Sequence, residues 1–120
     1  MARIVIVDDD KTFRGLIVTV LELEGHEALA IAQPEAIIAT VRQEDPDLVI
    51  MDIHIGQRDT LGALRDLKSD EALDDIPVVM TSGSDRSREC LDAGADKFLM
   101  KPFRPSEMVA TIDELLRTAD

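Results

Sequence analysis

Five short apolar runs alternate with five amphipathic stretches along this 120-residue chain, and that alternation limits its fold more than any other feature. The apolar runs read as strands at residues 3–7, 26–31, 48–51, 78–81 and 97–100. Helical periodicity predicts helices at about 11–24, 34–43, 61–69, 85–92 and 105–118. In the first, Phe13, Leu16, Ile17, Val20 and Leu21 recur at the spacing of one buried face, and Gly25 closes it. Pro34 and Pro105 stand where first-turn prolines are tolerated, and Gly94 is placed to end the fourth helix. Repeated strand–helix units require a parallel sheet covered by helices on both faces, joined by right-handed crossovers. The expected architecture is a doubly wound α/β sandwich with a five-stranded parallel sheet of order 2-1-3-4-5, whose switch point lies between strands 1 and 3.

The length suits a single domain with one well-formed core. No apolar stretch approaches membrane-spanning length, and no signal-peptide pattern opens the chain. Cys90 is the single cysteine, so no internal disulfide forms and a cytoplasmic location is expected. A net charge of −12 argues against direct binding to nucleic-acid phosphates.

Chemistry gathers at the carboxyl ends of the strands, where open α/β sheets place their ligands. The first apolar run is followed directly by Asp8, Asp9 and Asp10. Carboxylates this close repel: two unit charges 4 Å apart cost about 4 kcal/mol at an effective dielectric near 20. Strand 3 leads directly into Asp52, strand 4 into Ser82 and strand 5 into Lys101. Neighbouring parallel strands lie about 4.8 Å apart, so these side chains can share one site. Carboxylates, a hydroxyl and an ammonium form an oxygen-rich cage suited to Mg²⁺, with Mn²⁺ a possible substitute, or to a phosphoryl group. Asp10 is expected to cap the first helix rather than touch a metal. Thr81 is expected to pack between sheet and helix, His26 to lie on the surface, and Cys90 to be a small buried apolar residue.

Taken together, RIVIVDDD, PDLVIMDI, IPVVMTSG and AGADKFLMKPF, in this order and spacing, resemble the receiver domain of bacterial two-component response regulators, over essentially the whole chain. The resemblance implies a flavodoxin-like (βα)5 fold of the single-domain, chemotaxis-regulator-like kind, with no output domain in residues 1–120. It implies Asp52 as phosphoacceptor, Asp9 as a direct and Asp8 as a mainly water-mediated Mg²⁺ ligand, and the His54 backbone carbonyl as a further ligand. It also implies Ser82 as switch hydroxyl, Lys101 as the lysine that meets the acyl phosphate, and a bond to Pro102 that is often cis in the family. Phe98 alone reads as core; the resemblance makes it the switch aromatic. His54 reads equally as a residue tuning phosphate lifetime and as a solvent-facing loop histidine.

The implied function is a phosphorylation-dependent switch. It is not an enzyme, although such domains take part in their own phosphorylation and dephosphorylation. The phosphodonor is a sensor histidine kinase or a histidine phosphotransfer protein. Output passes through the face of the fourth helix, fifth strand and last helix to a downstream protein effector, with no nucleic acid or membrane, as a monomer or a phosphorylation-dependent dimer. Two alternatives stand beside it. Asp8-Asp9-Asp10-Lys11-Thr12 also fits the Asp-x-Asp-x-Thr signature of haloacid-dehalogenase-like phosphohydrolases, which would use Asp8 and Asp10. The third reading is a non-phosphorylated interaction module on the same fold.

Three departures from the family pattern are visible. Gly56 replaces the usual proline and Thr60 the usual glycine after Asp52, which predicts a more mobile loop. The stretch from Ser82 to Gly94 is short by about one helical turn. Arg104 stands where an Asp or Ser would cap the last helix, leaving Ser106 and Glu107 to offset the loss.

Overall fold

A computed structural model of the chain describes residues 1–118. Its strands are β1 (Arg3–Val7), β2 (Glu27–Ile31), β3 (Leu48–Asp52), β4 (His54–Ile55), β5 (Arg58–Asp59), β6 (Val78–Ser82) and β7 (Lys97–Met100). The helices are α1 (Lys11–Leu23), α2 (Ile37–Glu44), α3 (Leu61–Ser69), α4 (Ser87–Asp92) and α5 (Pro105–Thr118), with a 3₁₀ turn at Pro34–Ala36. Five strands pair in parallel in the order β2-β1-β3-β6-β7, while β4 and β5 form a separate antiparallel ribbon. Leaving the ribbon out of the count gives the expected 2-1-3-4-5. None of the helices among the described residues is long and apolar enough to cross a membrane.

Period-two alternation along the strands divides the core. Val5, Val7, Val49, Met51, Val78 and Met80 face one layer, where Ile37 and Val41 of α2, Leu64 and Leu67 of α3 and Cys90 of α4 cover them. Ile4, Ile6, Leu48, Ile50 and Val79 face the other, under Ile17 and Leu21 of α1 and Met108, Ile112 and Leu115 of α5. Because both faces are covered, the central strands are apolar at successive positions up to their carboxyl ends rather than at every second one. Continued to the strand ends, the alternation puts Asp8, Asp52, Thr81 and Lys101 on the α1/α5 side.

Local signals explain the helix ends. The Asp10 side chain accepts the Phe13 N–H at 3.1 Å and caps α1, as expected. Gly25 and Gly94, at φ +85° and +111°, follow α1 and α4 in the left-handed region that favours glycine. The shortening of α4 is more severe than expected, since the helix starts at Ser87 rather than Asp85. His26 differs from the surface placement read in the sequence: it is half-buried, and its Nδ1 accepts the Ala2 N–H at 3.1 Å. That bond ties the start of β1 to the turn before β2.

At α5, the Arg104 carbonyl accepts the first helical N–H groups, from Glu107 at 3.0 Å and Met108 at 3.3 Å. Glu107 reaches back to accept the Arg104 N–H at 3.2 Å, but Arg104 has no side-chain acceptor to return to the helix. Arg104→Ser completes that reciprocal pair. It is expected to stabilise the fold by about 0.5–1 kcal/mol, read as an upward shift of the urea midpoint at unchanged slope.

Candidate functional site

The sheet brings Asp8, Asp52 and Lys101 together although 93 residues separate the first from the last. Lys101 Nζ donates to Asp8 Oδ2 and to Asp52 Oδ2, each at 2.8 Å. The second oxygen of each carboxylate accepts a backbone N–H: Asp8 Oδ1 from Asp10 at 2.9 Å, Asp52 Oδ1 from His54 at 3.0 Å. Backbone pairing sets these positions. Asp8 N–H continues the β1–β2 ladder to the Ile31 carbonyl at 3.1 Å, and Lys101 N–H continues the β6–β7 ladder to the Ser82 carbonyl at 2.7 Å. The Lys101–Pro102 bond is cis.

Both carboxylates are buried, Asp8 at 1% and Asp52 at 8% exposure, so the group holds two negative charges against one positive. Burial is the largest influence on Asp8 and pushes its pKa above the ordinary carboxylate value, against the lowering effect of Lys101 and the Asp10 N–H. For Lys101, burial disfavours the ammonium, but its hydrogen bonds to Asp52 and Asp8 prevail and raise its pKa. Burial likewise raises the Cys90 thiol, the buried apolar-like cysteine that was expected.

Asp9 does not join this group. It is exposed, and its Oδ2 accepts the Gly56 N–H at 2.7 Å. Where a more mobile loop was expected, residues 54–59 form the β4–β5 ribbon, turning at Gly56 with φ +63°. Thr60 explains why: its buried hydroxyl donates to the Asp52 carbonyl at 2.8 Å and its N–H donates to the Ile53 carbonyl at 2.9 Å. A glycine could make only the second bond. Since Thr60 pairs with Ile53, His54 occupies the alternate position, with its N–H and carbonyl turned away from the ribbon partner. Its side chain is exposed, and Nε2 accepts from Arg86 at 3.1 Å. Arg86 also donates to Glu89 at 2.6 Å and lies 4.0 Å from Asp59, joining α4 to the ribbon. Neither the ribbon nor this junction was read from the sequence. The Arg86/Glu89 spacing was a local sign of an ion pair, but the contact with His54 had none.

Ser82 is fully buried, and its hydroxyl accepts the Ser84 N–H at 3.2 Å rather than bonding Asp52. Thr81, beside Asp52 in the sheet register, is buried as expected, with no hydrogen-bond partner for its hydroxyl among the described residues. Phe98 is half-buried against the α2–α4 layer of the core.

The donor chemistry fits Mg²⁺: Asp8, Asp9, Asp52 and the His54 carbonyl offer oxygen alone. They are not a ready-made cage, since among the described residues no three acidic, histidine or cysteine side chains converge on a common point. Lys101 already bridges Asp8 and Asp52, and Asp9 is held by the ribbon turn.

The response regulator receiver domain family model matches residues 4–113. The chain belongs to that family. The receiver domain is 34% identical over 117 residues to the phosphate regulon transcriptional regulatory protein PhoB of Pseudomonas aeruginosa, covering 95% of this chain and 51% of that protein. It is 32% identical over 121 residues to the DNA-binding response regulator MtrA of Mycobacterium tuberculosis, covering 98% of this chain and 52% of that one. Among solved structures, the CheY-like receiver domain protein of Methanospirillum hungatei superimposes with a TM-score of 0.91 at 28% identity, covering 99% and 96% of the two chains. The receiver domain thus spans about half the length of the curated relatives it matches. Several are named as transcriptional or DNA-binding regulators, which does not fit an expectation of no nucleic-acid partner for proteins of that full length, but this chain is a single receiver domain matching about half of each.

Proposed function

We propose that this receiver domain is a phosphorylation-dependent switch with Asp52 as its phosphoacceptor. The observation that carries the reading is the Lys101 ammonium held between the buried Asp52 and Asp8 carboxylates at the sheet's carboxyl edge. A carboxylate oxygen of Asp52 attacks the phosphorus of a phosphohistidine on a sensor kinase or phosphotransfer protein. A P–O bond forms, the P–N bond breaks, and the leaving imidazole keeps the bond's electron pair and takes a proton. Lys101 neutralises charge on the phosphoryl oxygens, exchanging its bond to Asp52 Oδ2 for one to the new group. Mg²⁺, held by Asp9, Asp52 and the His54 carbonyl with Asp8 through water, would add further charge neutralisation when bound.

The Ser82 hydroxyl proton is free to turn toward a phosphoryl oxygen, because that hydroxyl now only accepts from Ser84. Ser82 is drawn toward that oxygen, Phe98 moves from its half-buried position into the space Ser82 leaves, and the surface of α4, β7 and α5 changes shape for a downstream effector or a second copy. Converting 1:99 to 99:1 would require about 5.5 kcal/mol of differential interaction, so a partial shift of population is expected.

A hydrolase using Asp8 and Asp10 draws no support from the geometry, because the Asp10 carboxylate is committed to the α1 cap. Intact-mass measurement after incubation with Mg²⁺ and acetyl phosphate, and separately with a phosphorylated phosphotransfer protein, tests the proposal. Wild type is expected to gain the mass of one phosphoryl group and Asp52→Asn to gain none. An adduct persisting in Asp52→Asn moves the acceptor elsewhere. Failure of wild type with both donors favours the non-phosphorylated interaction module.

A further inference from the structure

We infer that Phe13 is a positioning residue for the Lys101 ammonium, acting through the face of its ring; the inference rests on the reading of Lys101 and Asp52 just given. An ammonium has three N–H donors and no acceptor. Two go to Asp8 and Asp52, and the Phe13 ring faces the same nitrogen, its centroid 4.0 Å from Nζ. The electron-rich face of an aromatic ring attracts a cation there without forming a hydrogen bond. An oxygen in that place would compete with the carboxylates and hold the lysine back. The ring instead stabilises the ammonium between them and leaves it free to follow negative charge onto a phosphoryl group.

Phe13 is itself held from two directions. Its backbone N–H is the group that Asp10 caps, at 3.1 Å, which fixes the first turn of α1 beneath the ring. Phe103 packs edge-on against it, with centroids 5.7 Å apart and planes at 88°. Phe103 lies two residues beyond Lys101, so one chain segment carries both the lysine and the brace for the ring that faces it. Two aspartates of the triplet thereby serve the lysine, Asp8 by binding it and Asp10 by placing Phe13, while Asp9 ties the ribbon turn.

Packing alone also makes a use for Phe13, which contacts the α1/α5 layer. Substitutions that keep bulk but differ in the ring separate the two roles. Phe13→Leu and Phe13→Met fill the space without a π face; Phe13→Tyr keeps the face. Two quantities are measured on variants shown to be folded by circular dichroism: the rate of Asp52 phosphorylation by acetyl phosphate with Mg²⁺, and the NMR shift of the Lys101 ε-methylene protons. Leu and Met are expected to slow phosphorylation by roughly 3- to 10-fold and to abolish the ring-current shift, with Tyr within about twofold of wild type. Should Leu and Met react at the wild-type rate, or Tyr be slowed as much as they are, the inference is overturned. If wild type forms no adduct with acetyl phosphate or with a phosphorylated phosphotransfer protein, the proposed function fails. The NMR shift then decides the Phe13 contact separately: loss in Leu and Met with retention in Tyr upholds it, and an unchanged shift refutes it.

Discussion

Lys101→Met is expected to lower the unfolding free energy at pH 7 by about 3 kcal/mol, the largest effect of any single side chain at the site. The lysine is partly exposed, its side chain 21% accessible, but the carboxylates it bridges are 2% and 11% accessible and would be left facing one another. The pH dependence identifies the cause. In wild type the folded Lys101 pKa lies above its ordinary value, so its contribution is complete below that value and lost only as pH rises through the folded pKa. Between pH 5 and 7 it is constant. Without the ammonium, Asp8, already raised by burial, rises further. A carboxylate with a raised folded pKa keeps a proton that the unfolded chain has released, so stability recovers as pH falls from above the folded pKa toward the ordinary value of 3.8. Urea unfolding should therefore show a deficit at pH 7 that narrows at pH 5, and Asp8→Asn added to Lys101→Met should restore part of it. A deficit equal at both pH values and unchanged by Asp8→Asn would mean that lost packing, not charge, is responsible.

Gly94→Ala is expected to cost about 2–4 kcal/mol. At φ +111° an L side chain is strained, and here the added Cβ would also lie 2.8 Å from Lys68 Cγ and 3.2 Å from Lys68 Cβ. The Lys68 stem cannot swing aside without loss. Its Nζ donates to the Ile76 carbonyl at 2.9 Å and to Asp96 Oδ2 at 2.8 Å, and that same Asp96 oxygen accepts the Val78 N–H at 2.8 Å. One lysine thus ties α3 to the entries of β6 and β7. Gly25→Ala is the control, since Gly25 also has positive φ (+85°) but nothing within 4 Å of the added Cβ. About 1 kcal/mol is expected there from backbone strain alone. Equal losses at the two positions in urea titrations would show that the contact with Lys68 does not matter.

Much of the architecture was legible because it rests on local rules. Apolar runs without alternation marked strands buried on both faces, and the helical stripe beginning at Phe13 marked α1. Gly25, Gly94, Pro105 and Asp10 punctuated the helices by conformational preferences that act within a few residues. Strand ends were read one residue short at Asp52 and Ser82, since polar residues gave no apolar signal to extend the run. The ribbon escaped because Ile55-Gly56-Gln57-Arg58 was read against the family's usual turn. Its stability depends on the Thr60 hydroxyl meeting the Asp52 carbonyl, a bond that residue type alone does not announce.

The sequence by itself determined the strand–helix alternation, the strand order and the gathering of Asp8, Asp52, Ser82 and Lys101 at one edge of the sheet, because periodicity and short connections leave few ways to cover both faces. Only the tertiary structure decided how those groups pair. It set Lys101 between Asp8 and Asp52, turned Asp9 to the ribbon, left Ser82 bonded to Ser84 and laid the Phe13 ring over the ammonium. Those choices depend on distances of a few ångströms between residues as far apart as 93 positions, and no local pattern in the chain encodes them.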